Sequence, residues 1–121
     1  MTTFLTLEEA LAIGAAVTGG PVELRDAGLL EAALARPRTT VFGQDAYPSL
    51  HEKAAALLHS IVTNHPLVDG NKRLGFACTA IFLRIGASPL TLDQDAAYDL
   101  VIAVADGSLR DLGQIATALR G

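Results

Sequence analysis

Nine consecutive residues in mid-chain, His65-Pro66-Leu67-Val68-Asp69-Gly70-Asn71-Lys72-Arg73, bring together an imidazole, a carboxylate, a glycine, an amide and two cations. A loop that only reversed the chain would not need this mixture. Pro66 disfavours the α conformation at His65, so the preceding helix should end near Asn64 and release the imidazole toward whatever cavity the loop bounds. Gly70 permits backbone angles closed to other residues, and a close approach by a ligand. A helix then begins, and its first N–H groups, unpartnered and partly positive, form an anion site. Lys72 and Arg73 add two full charges there, the arginine as a planar fork suited to phosphate oxygens. Asp69 can hold Mg²⁺ through one carboxylate, with phosphates and water completing the shell.

The chemistry these residues fit is phosphoryl or nucleotidyl transfer, in which positioning and charge stabilisation do most of the catalysis. His65 is the candidate general base for an attacking hydroxyl, and Asp69, Lys72 and Arg73 are candidate catalytic partners. Gly70, Asn71, Lys72 and Arg73 are candidate ligand-binding residues, with Asp69 as the metal ligand.

Each residue also has a plainer role. An isolated His is more often a capping or core residue, Asp-Gly is an ordinary turn signal, and Asn71 is an ordinary N-cap, here one that also faces the ligand. Lys72 and Arg73 fit solvated first-turn cations less well, because cations are disfavoured at a helix N-terminus. That local conflict calls for an anion. Elsewhere, His59 lies among Leu57, Leu58 and Ile61 and reads as structural, while His51, Glu52 and Lys53 read as a solvated first turn. Cys78 reads as a small buried hydrophobe and Arg84 as a surface residue.

Six helices must position the loop. Thr6-Leu7-Glu8-Glu9 is a capping box and opens a helix ending before Gly19-Gly20-Pro21. Asp26 caps a second helix through Arg36, with Pro37 following, and Ser49-Leu50-His51-Glu52 is a second capping box, opening a helix to about Thr63. The fourth helix runs from about Asn71 to Ile85, with Gly86 as its C-cap. Thr91-Leu92-Asp93-Gln94 opens a fifth, and Asp106-Gly107 separates it from a sixth capped by Ser108. Thr39 to Pro48 lacks helical periodicity, and Thr40-Val41-Phe42-Gly43 fits either a short strand or an irregular flap.

The chain of 121 residues predicts one domain over residues 1–121. Half of the residues are hydrophobic, mostly Ala and Leu, which favours helices. No apolar run approaches the roughly 20 residues a bilayer span takes. The most apolar stretch, Leu74 to Ile85, carries Thr79 and Arg84 and reads as a buried central helix. A net charge of −4 argues against broad nucleic-acid binding. The N-terminus has no basic region or cleavage signature and the single cysteine has no partner, so cytoplasmic placement is expected.

The nonamer resembles the Fic/Doc signature, in which His-Pro-Phe, two variable positions and Gly-Asn precede a basic helical turn. The likeness extends through Arg25-Asp26-Ala27-Gly28-Leu29-Leu30-Glu31, Tyr47-Pro48 and Glu52-Lys53-Ala54-Ala55, over roughly residues 20 to 90, and is to the Doc (death-on-curing) branch in particular. The resemblance implies an all-α bundle with the motif loop at the N-terminus of a buried central helix. Fic enzymes usually have glycine after the Asn and transfer AMP from ATP to a target hydroxyl; Lys72 stands there in this chain, as in Doc. In Doc that change accompanies an inverted nucleotide and transfer of the terminal phosphate to a threonine of elongation factor Tu. A long cation fills space that a glycine would leave for phosphates.

The expectation is therefore a type II toxin using ATP and Mg²⁺, restrained by a cognate antitoxin. Contact with DNA is expected only through that antitoxin, and contact with membranes not at all. AMP transfer and a non-catalytic binding module are the alternatives. Leu67 stands where the family usually has Phe, an exchange of one apolar anchor for another.

Overall fold

Side-chain caps decide where most of the helices begin. In a computed structural model describing residues 2–121, Thr6 and Ser49 close reciprocal capping boxes with Glu9 and Glu52, opening α1 (Leu7–Thr18) and α3 (Leu50–Asn64). Asp26 and Asp93 accept amide protons at the starts of α2 (Ala27–Ala35) and α5 (Gln94–Ala105). The caps at Thr6, Asp26 and Ser49, and α4 (Asn71–Ile85), fall where the sequence places them, and the fifth helix opens within the expected Thr91–Gln94 segment, with Asp93 as its cap.

The sixth helix is a correction. It is α6 (Leu112–Arg120), capped by Asp111 rather than Ser108. The Ser108 amide and hydroxyl both donate to Asp106 Oδ1, at 2.8 and 2.6 Å, so that residue closes a turn instead of starting a helix. The second helix likewise ends at Ala35 and tightens into a 3₁₀ turn, Arg36–Arg38, that carries the buried Pro37. Gly86 caps α4 at φ −78°, while the left-handed residue is Ala87; a Cβ on Gly86 would lie 2.6 Å from Leu50 Cδ2. The missing side chain there serves packing.

The segment left open between strand and flap is a hairpin. β1 (Thr40–Val41) pairs antiparallel with β2 (Gln44–Asp45) in the register Thr40↔Asp45, Val41↔Gln44. Phe42 and Gly43 form the turn, both with positive φ, as tight hairpins require.

The core is a helical bundle organised around α3. Its Ala54 to Leu58, Ile61 and Val62 are buried, and it packs against α2, α4, α5 and α6. α4 is buried along Leu74, Gly75, Cys78, Thr79, Phe82 and Leu83, with Phe4 stacked on Phe82 at a ring separation of 6.1 Å. Burial pushes the Cys78 thiol up to about 12, so it behaves as a small hydrophobe. No helix among the described residues is long and apolar enough to cross a membrane.

Lys53 is not the solvated cation that its place in a first turn suggests. It is buried, and its ammonium donates to Asp45 Oδ2 at 3.1 Å, to the carbonyl of Tyr47, and to that of Pro48 at 3.2 Å. One point charge thus gathers the hairpin's return onto α3. His59 is structural, as expected. Arg36 Nη1 donates to its Nδ1 at 3.0 Å, which makes Nδ1 an acceptor and leaves the proton on Nε2. Burial and the neighbouring guanidinium both lower the pKa of His59.

Candidate functional site

The loop between α3 and α4 is held on both sides by atoms of its own chain. At the end of α3, His65 adopts φ 52° and ψ 62°, left-handed angles that turn the chain away from the helix axis. Residues 23–26 run alongside the loop. Glu23 O accepts from Val68 N at 2.9 Å, Leu24 and Leu67 form an antiparallel bridge, and the amides of Arg25 and Asp26 both donate to Pro66 O, at 2.8 and 3.0 Å. Leu67 is buried, which gives it the anchoring role expected of the family's Phe.

Asn71 is not the N-cap of α4; Gly70 is, with φ 89°. The Asn71 side chain reaches back instead, accepting from Leu67 N at 2.8 Å and donating to Leu67 O at 3.0 Å. A left-handed residue at the cap position points the chain so that the first side chain of the helix can fold over the loop. Gly70 is needed for that angle, and a Cβ there would lie 3.0 Å from Thr18 Cγ2. The close approach that Gly70 permits in this structure is therefore to α1.

α4 differs from the other five α-helices at its start. Each of those has a side-chain cap, from Thr6, Asp26, Ser49, Asp93 or Asp111; α4 has none and no acidic residue in its first turn. Its leading amides are thus open, and the residues beside them are exposed cations, Lys72 and Arg73, neither in an ion pair among the described residues. Helix electrostatics and side-chain charge both favour an anion at this end.

A cavity of about 730 Å³ lies over it, bringing His65, Asp69, Gly70, Asn71, Lys72 and Arg73 together with the turn after α1. The His65 ring has no hydrogen-bond partner among the described residues, leaving both nitrogens available. One Asp69 oxygen accepts from Gly70 N at 2.8 Å, and its other oxygen has no partner there either. No cluster of three or more metal-binding side chains occurs among the described residues. One open carboxylate oxygen beside an anion site suits a magnesium ion that arrives with phosphates, since Mg²⁺ keeps much of its shell as water and phosphate oxygen.

Two contributors escape a reading of the motif alone. The far wall, Thr18 to Glu23, comes from the turn after α1, and Arg25 grips the end of α3 through Asn64 O and His65 O. Neither has a local signal; Arg25 stands out only in retrospect, as the start of the longest upstream stretch shared with the family.

An all-helical bundle in which His-Pro, Asp-Gly-Asn and two cations turn a loop into an uncapped helix defines a distinct class of domain. The chain belongs to the Fic/Doc family: the model described as Fic/DOC family matches residues 4–83. It is also similar to Toxin Doc of Mycolicibacterium smegmatis, with 49% identity over 123 residues, covering 100% of this chain and 94% of that protein.

Proposed function

We propose that this protein is the toxin of a toxin–antitoxin pair. In this reading it is a protein kinase that moves the terminal phosphate of ATP to a threonine hydroxyl of elongation factor Tu and so arrests translation. The carrying observation is one cavity holding both an unengaged imidazole, His65, and an uncapped helix start flanked by Lys72 and Arg73. The likeness to a protein named Toxin Doc supports the toxin role and, with it, a cognate antitoxin.

In this reading His65 takes the proton of the acceptor hydroxyl as its oxygen bonds to the terminal phosphorus. The bond to the bridging oxygen breaks, and its electron pair leaves with ADP. The open amides of α4, with Lys72 and Arg73, stabilise the charge on the phosphates. Asp69 would hold Mg²⁺, which supplies further neutralisation of phosphate charge when bound. Asn71 and Gly70 keep the loop in register beneath the phosphates. Lys72 favours terminal-phosphate over AMP transfer, because its side chain occupies space that a glycine would leave to the nucleotide.

The test is incubation of the antitoxin-free protein with elongation factor Tu and ATP labelled at the γ-phosphate. Label transfer that His65→Ala abolishes is the expected result. Transfer of α-label instead would establish AMP transfer, and no transfer of either label by folded protein would overturn the enzymatic reading.

A further inference from the structure

We propose that Arg25 is a positioning residue that sets the backbone angles of His65 and thereby aims its imidazole. Its guanidinium donates from Nε to the carbonyl of His65 at 2.6 Å and from Nη2 to the carbonyl of Asn64 at 2.7 Å. These two carbonyls lie on either side of the His65 α-carbon. The first is carried by the peptide plane whose rotation is ψ of His65, the second by the plane whose rotation is φ. One rigid, planar group bonded to both planes therefore fixes both angles, at the left-handed values of 52° and 62° that residues other than glycine rarely adopt.

An ordinary cation near a helix C-terminus also satisfies final carbonyls and meets the negative end of the dipole. Three observations go beyond that. The arginine comes from 40 residues earlier in the chain, so it is a tertiary contact. Its own amide, with that of Asp26, takes the next carbonyl, Pro66 O, so the carbonyls of residues 64, 65 and 66 are all engaged by two adjacent residues. And Asn71 holds the backbone of Leu67, so the loop is also fixed two residues beyond His65. Arg25 is not among the residues lining the cavity, so it acts through His65 and not on a ligand.

The kinetic part rests on the phosphotransfer reading; the structural part does not, and the experiment separates them. Wild type, Arg25→Ala, Arg25→Lys and His65→Ala are compared in the full-length protein. The readouts are kcat and KM for ATP with elongation factor Tu, thermal midpoints, and the ring resonances of the three histidines, with the His65 signal assigned from its absence in His65→Ala.

Arg25→Ala should lower kcat by about tenfold or more with KM for ATP little changed, as misplacement of a reacting group does. It should also shift or split the His65 resonance, with those of His51 and His59 unmoved. Arg25→Lys keeps the charge but not the fork, so it should share both effects with a midpoint nearer wild type, and it carries the test should the alanine variant not fold. An unaltered His65 resonance in the lysine variant, or full kcat in it, overturns the proposal, as does a parallel loss of ATP binding. If wild type transfers no phosphate, the kinase reading fails, and the His65 resonance still decides the role of Arg25.

Discussion

The Asn71 carboxamide closes a two-bond ring on the backbone of Leu67, accepting from its N–H at 2.8 Å and donating to its C=O at 3.0 Å. Leu67 is 1% exposed, so water cannot replace either bond. Asn71→Ala should cost about 1–3 kcal/mol, the range for stranding a buried backbone group. Asn71→Asp keeps the acceptor but sets a carboxylate against Leu67 O, and should cost at least as much at neutral pH. Urea unfolding measures both, and an alanine variant as stable as wild type would show that the ring contributes nothing.

Gly75 of α4 lies against side chains of α3 with no room for a methyl group. A Cβ there would lie 2.6 Å from Val62 Cγ1 and 3.4 Å from both Ile61 Cγ2 and Leu58 Cδ1. Alanine gains about 1 kcal/mol of helix propensity over glycine. Overpacking a filled core costs about 1–3 kcal/mol, and β-branched Val62, fully buried, has little rotamer freedom with which to retreat. Packing should win, and Gly75→Ala should lower the thermal midpoint; a raised midpoint would mean that α4 can slide.

Acid should destabilise the fold partly through His59. Its folded pKa lies below the ordinary 6.5, because burial and Arg36 both oppose a second proton. The unfolded chain then binds more protons than the native one between the two values, so stability rises with pH in that interval. The contribution is fully present above about 6.5 and is lost as pH falls through and below it. His59→Asn, which keeps an acceptor for Arg36 and does not titrate, should flatten the dependence of unfolding free energy on pH between roughly 7 and 5. His51, lowered by burial and by Arg120, should keep a residual slope in that variant. Equal slopes in the two proteins would remove His59 from the account.

Lys53 ties the hairpin to α3 through Asp45, Tyr47 and Pro48. Lys53→Met preserves the buried stem but leaves two carbonyls without their donor. The expected loss is about 1–3 kcal/mol. Amide exchange should quicken first in residues 39–48, whose backbone bond from Ala46 N to Thr39 O depends on that anchorage. Uniform acceleration across the bundle would instead make Lys53 part of the global core.

What sequence alone determined here is what depends on neighbours in the chain. Capping boxes at Thr6 and Ser49, the aspartate cap at 26, and Pro66 after α3 act on close chain neighbours, and each produces the helix boundary expected of it. The mixture of groups from His65 to Arg73 was legible for the same reason, since a loop and a helix start keep chain neighbours together whatever surrounds them.

At the sixth helix the local signal misled: Ser108, the expected cap, closes a turn on Asp106, and the helix opens three residues later at Asp111. Only tertiary structure could decide what crosses long separations. The burial of Lys53 depends on where the hairpin returns, and the grip of Arg25 on α3 on where the turn after α1 passes. The reach of Asn71 to Leu67 spans only four residues, yet it depends on Gly70 adopting φ 89° against Thr18. Long polar side chains find partners by geometry, and that geometry exists only once the bundle has packed.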